Sequence, residues 1–367
     1  MTCALEVGHP ACAMHGNTGE WQVPLASDVF EARPLVARAL AEVWRFLPVW
    51  MYLIYACLLL NTQLTNFDPP RADLAHTVVF PVAVFIVFYV VRAHRAPEVG
   101  HRGFMLAVTV GLALGLPLLN VSYHRPSPLS IETLRVVYEL SNFVWAGLLL
   151  LHAYRRHKSH AVLLFGAGLF YGACLENGGI WLGYFHEAHL DLTVVPPLLA
   201  PAATMVGWCV VLYMAMFLVW RLREWLPTLR RSAALSALAV GGVAVLLDLQ
   251  IDPLATAAGC WVWNETLPGW FHGVPLVNFV AWVCALSAFA YFTFRVQTLE
   301  RLRDGGPWTG RALRFMFLAV PAILGLAAVL FLAGIGLLEG FSGPSWAVLF
   351  RFADQLALPL PWGEGGG

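Results

Sequence analysis

A chain of 367 residues that is 59% hydrophobic and only 12% charged, against about 25% charged in ordinary soluble domains, reads as a polytopic membrane protein. Its 22 basic residues balance its 22 acidic ones, so no net field favours nucleic acid or another polyanion. Seven scattered cysteines (Cys3, Cys12, Cys57, Cys174, Cys209, Cys260 and Cys284) contain no CxxC pair, which argues against a disulfide scaffold.

Residues 1–40 lack the basic start and continuous apolar core of a signal peptide and read as a flexible tail. Cys3, His9, Cys12 and His15 match no standard zinc spacing. Apolar stretches then recur at about 44–60, 76–92, 104–121, 133–153, 161–176, 198–220, 233–252, 274–294 and 313–338, roughly nine spans by the length rule. The expected fold class is therefore all-α, a polytopic membrane helix bundle forming one domain over 41–345, with a C-terminal tail at 346–367. Loops after the even-numbered spans hold the arginines, such as Arg155 and Arg156, Arg221, Arg223, Arg230 and Arg231, and Arg295. Those after odd spans carry Asp68, Asp73, Glu187, Asp191 and Glu265. The positive-inside rule then places the N-terminus in the cytoplasm and the odd loops outside.

One stretch, Leu246 to Trp282, concentrates chemistry. Asp248 and Asp252 stand four residues apart, so on a helix they share one face. Pro253 follows at once and predicts that the helix ends near Asp252. Two carboxyl groups so placed titrate as a pair and are expected to share a proton. Trp261, Trp263, Asn264, Trp270, Phe271 and His272 come next, then Gly273 and Pro275 open a second apolar helix carrying Asn278 and Trp282. Glu176 ends the fifth span on the same outer side, and Glu139 lies in the outer half of the fourth near Asn142. Acidic groups at this depth cost at least about 2.5–3.5 kcal/mol each on insertion scales, so they face a bundle interior, a partner or water.

Plainer readings exist for several of these residues. Glu176 and Asp252 at span ends can simply meet headgroups, and Glu139 is expected to pair with Arg135 on an exposed helix face. Trp181, Trp261, Trp263, Trp270 and Trp282 can form an interfacial belt. Gly168 and Gly172, spaced GxxxG, are expected to let helices approach closely. His152, His157 and His160 are expected to be solvated with the basic inner loop. His186 and His189 beside Glu187 and Asp191 have metal-capable side chains, but a solvated outer loop is the simpler expectation, and no metal is assigned.

The hairpin resembles the integral-membrane carotenoid biosynthesis proteins, whose characterised members include carotenoid 1,2-hydratases and the bisanhydrobacterioruberin hydratase. Their Asp-Leu-x-x-x-Asp-Pro helix end, Trp-x-Trp and Gly-Val-Pro-x-x-Asn-Phe are similar to Asp248, Leu249, Asp252, Pro253, Trp261, Trp263, Gly273, Val274, Pro275, Asn278 and Phe279 here. A looser upstream element resembles Glu176, Gly183, Tyr184, Val195 and Pro196. The resemblance spans about residues 160–295. Ala281 stands where the family usually has Gly, and His186 where a second aromatic is common.

The resemblance implies addition of water across a terminal isoprenoid double bond. In that chemistry Asp248, Asp252 and Glu176 are the expected catalytic groups, and Tyr184, Trp261, Trp263, Asn278 and Trp282 the expected substrate-binding residues. The expected partners are a carotenoid or other isoprenoid lipid, water and membrane lipids, in a bacterial inner membrane, with no cofactor. Isomerisation or cyclisation starts from the same protonation and stays open at this point. So does a transporter or non-catalytic lipid-binding protein, although no internal repeat or paired broken helices are seen.

Overall fold

The computed structural model describes residues 41, 43–52, 131–157, 159–187, 198–257, 259–296 and 318–355. The spans expected at 76–92 and 104–121, the N-terminal tail, His189, Asp191, Val195 and Pro196 lie outside them. The elements are α1 (Ile131–His157), α2 (Ser159–Trp181), β1 (Phe185–Glu187), α3 (Ala202–Trp225), α4 (Pro227–Arg231), α5 (Ala233–Ala257), β2 (Trp261–Trp263), β3 (Gly269–Phe271), β4 (Val274–Pro275), α6 (Leu276–Val296), α7 (Val320–Glu339) and α8 (Pro344–Gln355). Among the described residues four helices are long and apolar enough to cross a membrane: Ala202–Glu224, Ala233–Pro253, Leu276–Arg295 and Val320–Glu339.

Helix α3 sits at the centre. Its run Cys209 to Phe217 is buried throughout, as expected of an apolar helix surrounded by others. Helices α1, α2, α5 and α6 pack on it or on one another. The outer face of α7 exposes Val329, Leu330, Leu332, Leu337 and Leu338, a surface suited to hydrocarbon. The GxxxG pair does bring helices together: Gly168 lies against Cys209 and Leu212, and a Cβ on Gly172 would sit 2.6 Å from Trp208 Cβ. Gly172→Ala is therefore expected to destabilise the protein by about 1–3 kcal/mol through overpacking, read as a lower unfolding temperature in detergent micelles. Gly166→Ala, with nothing near its Cβ position, is the matched control.

Two short antiparallel strand pairs close one end of the bundle. In β1–β2, Phe185 pairs with Trp263, His186 with Val262 and Glu187 with Trp261. In β3–β4 the connecting residues His272 and Gly273 both have positive φ, 50° and 84°, the combination that a tight two-residue hairpin turn requires. The opposite end carries the arginines. Arg155 lies over Trp44 at 4.8 Å and Arg221 over Phe46 at 4.7 Å, while Arg221 also pairs with Glu224 at 2.5 Å.

Several expectations need correction. Helix α5 does not stop at Asp252 but runs through Pro253 to Ala257. The proline forfeits one backbone hydrogen bond, but packing against α6 holds the extra turn, as neighbouring helices do for prolines in membrane helices. His152 is not solvated. It is buried, with Nδ1 2.9 Å from the Tyr213 hydroxyl and Nε2 3.3 Å from the Arg45 carbonyl, because α1 reaches deep enough to pack its last turns against α3. Glu139 is buried too and so does not lie on an exposed face. A helix, α8, occupies 344–355, where a tail was expected from 346.

Candidate functional site

The acid pair shows what helical spacing dictates. Asp248 and Asp252, one turn apart on α5, are 0% and 3% exposed. The Nδ2 group of Asn278, from the first turn of α6, donates to Asp248 Oδ2 at 3.0 Å and also to Asp252 Oδ2. One amide thus bridges two carboxyl groups and pins α5 to α6. Buried carboxyl oxygens need such donors, since an unmet polar group in an apolar interior costs several kilocalories. Asp248 Oδ1 has no hydrogen-bond partner. Glu176 on α2 is a third carboxyl within electrostatic range of both aspartates.

Asp252 opens onto a cavity of about 380 Å³, and Asp248 lies behind it. The walls come from α1, α2, α3, α5, α6, α7 and the strands. Glu176, Tyr184, Trp261, Trp263, Asn278 and Trp282 all line it, so seven of the eight expected site residues meet in one chamber. The Trp-x-Trp spacing has a simple cause. On a strand, residues two apart face the same side, so Trp261 and Trp263 turn inward and Val262 outward. Trp263 is fixed by its Nε1 donating to Thr256 Oγ1 at 2.9 Å and by Phe185, ring centroids 5.4 Å apart. Asn264 ties the strand to the α2 end, its backbone N–H donating to the Tyr184 carbonyl at 2.9 Å and its Nδ2 to the Gly183 carbonyl at 2.7 Å.

Tyr184 presents its ring to the cavity while its hydroxyl donates to the Ser345 carbonyl at 2.9 Å. Ser345 in turn donates its hydroxyl and N–H to the Glu339 carboxylate, at 2.8 and 3.0 Å. Trp270 and Trp181 stay outside, 61% and 53% exposed, and fit the interfacial belt. His186 is exposed on β1, and no cluster of three metal-ligating side chains occurs among the described residues.

Sequence reasoning missed Trp208. Its Nε1 donates to Glu176 Oε1 at 2.6 Å, and its ring stacks on Trp282 with centroids 4.9 Å apart and planes 21° apart. The contact joins α2, α3 and α6, and no local spacing announces it. Asn142, Thr204 and Phe331 also line the cavity without any motif around them. Ala328 of α7 lines the chamber and is itself exposed, on the helix face it shares with Leu324 and Phe331, which also line it.

Chemically the chamber joins a carboxyl pair, a third carboxyl and a ring-lined apolar volume, the mixture of few polar groups in apolar walls typical of small-molecule sites. A protein-family model described as carotenoid biosynthesis protein matches residues 137–349. Every cavity-lining residue, from Asn142 to Phe331, falls within that match. No curated protein and no solved structure matches the chain.

Proposed function

Because this chain belongs to the carotenoid biosynthesis protein family, we propose that it hydrates the terminal double bond of an acyclic isoprenoid chain. The observation that carries the reading is the Asn278-bridged carboxyl pair whose Asp252 member opens into a chamber walled by Trp208, Trp261, Trp263, Trp282 and Phe331. Two carboxyl groups bound to one amide at this depth hold a proton between them, since like charges so close do not both ionise in an apolar interior.

The pair delivers that proton to the terminal alkene carbon and leaves a tertiary carbocation. Ring faces shield it, each favourable contact contributing about 0.5–2 kcal/mol. A water molecule adds its oxygen to the cationic carbon. Glu176, held by Trp208, accepts the proton that water releases and passes it back to the aspartates. The net change is alkene plus water to tertiary alcohol, without a cofactor. The chamber volume suits the tip of a polyene, and we infer that the rest of the molecule leaves past the exposed Ala328 of α7 into lipid. The strand-covered end faces outward and the arginine end the cytoplasm, in a bacterial inner membrane.

Expression in a lycopene-accumulating bacterium followed by mass analysis of the pigments tests the reaction. Gain of one water supports hydration. An isomer or cyclised product of unchanged mass replaces hydration by the dry branch of the same cation chemistry, and unchanged pigment removes the enzymatic reading for this substrate. That exit has its own test. Ala328→Trp is expected to lower turnover about tenfold, equivalent to about 1.4 kcal/mol of crowding at the mouth. Val329→Trp, one residue on, exposed and outside the lining, is expected to leave it unchanged.

A further inference from the structure

One buried donor at the chamber wall takes no part in the chemistry above. Asn142, on α1, is 3% exposed and lines the cavity, yet its Nδ2 has no hydrogen-bond partner. Buried amide donors without partners are rare, and each calls for a ligand or an ordered water. The amide is also packed on α3. It lies over Gly207 of α3, where a Cβ would come within 3.4 Å of Asn142 Oδ1. A larger residue at 207 would crowd the amide. Gly207 precedes Trp208, the residue that holds Glu176, so consecutive positions of α3 set the amide donor and the third carboxyl. Asn278 is not available for the same duty, because its Nδ2 is engaged by both aspartates.

We propose that Asn142 Nδ2 forms an oxygen subsite, binding the water that is added and then the tertiary hydroxyl it becomes. The inference rests on the hydratase reading and names the group that makes the cation meet water instead of losing a proton. A water oxygen has two lone pairs. One accepts from Asn142, which leaves the other to form the C–O bond while a proton passes to Glu176. Asn142 is thus a binding residue for the co-substrate and has no part in proton delivery to the alkene.

That division of labour sets the test, run with the full chain in phosphatidylcholine vesicles containing lycopene, in deuterium oxide. The aspartate pair exchanges its proton for a deuteron, which forms a C–D bond at the terminal carbon. The cation then takes up water, or loses a proton from an adjacent carbon and regenerates a labelled alkene. Asn142→Leu is expected to lower alcohol formation about tenfold, the effect of one lost hydrogen bond, while deuterium incorporation into recovered lycopene persists or rises. Asn142→Gln, which keeps a donor, is expected to restore part of the alcohol. Undiminished alcohol in Asn142→Leu overturns the subsite, as does a parallel fall of alcohol and label in both variants, the signature of a merely structural role. A wild-type chain that labels lycopene but makes no alcohol overturns hydration, and the subsite with it, while leaving the acid pair standing. A wild-type chain that does neither overturns the acid chemistry as well.

Discussion

Replacing Asp252 by asparagine is expected to lower product formation by about 10²–10⁴-fold, the usual contribution of a positioned general acid, with the fold retained. The substitution keeps size and shape, and the new amide oxygen still accepts from Asn278, as Asp252 Oδ2 does now. What disappears is a transferable proton at the one member of the pair that lines the chamber. Asp248→Asn is expected to lose less, because Asp248 lies behind its neighbour and acts by sharing the proton. Pigment analysis in a polyene-producing host reads both variants, and circular dichroism of the purified protein checks the helices. Full alcohol formation by the Asp252→Asn protein would remove the acid mechanism, whatever the fate of Asp248.

Asn278→Ala is expected to have the largest effect on stability. Both aspartates lose a hydrogen-bond donor at once, and each buried acceptor left unmet costs about 1–3 kcal/mol. A loss of about 2–6 kcal/mol in total is expected, seen as a lower midpoint in thermal unfolding in lipid nanodiscs. The pairing makes a second prediction. In an Asp252→Leu background one of the two acceptors is already gone, so the further loss from Asn278→Ala should shrink, a non-additivity expected of residues in one network. Additive losses, or an Asn278→Ala protein as stable as the parent, would show that the amide does not bridge the pair.

Local periodicity made part of this site legible before any coordinates. Asp248 and Asp252 share a face because four residues make about one helical turn. Trp261 and Trp263 stood out as a pair, but that they share a side followed only once the structure showed a strand there, where residues alternate. Gly273 and Pro275 read in the sequence only as the opening of a helix, and the turn at His272 and Gly273 came with the backbone, where glycine takes positive φ without strain. Pro253 misled, because its local preference to end a helix is weaker than the packing of α5 on α6. His152 and Glu139 misled in the same direction. Read along the chain, each belonged with charged neighbours or an exposed face, but both are buried in the bundle.

The sequence by itself determined the membrane-helical class and the acid pair on one helical face, since each follows from spacing within one element. Only the tertiary structure decided that Asn278 bridges the acids, that Trp208 holds Glu176 and stacks on Trp282, and that Asn142 lines the chamber with its amide nitrogen unpartnered. These contacts join helices tens of residues apart in the chain. Helix packing chooses such partners by the fit of whole surfaces, and no spacing along a single helix encodes it.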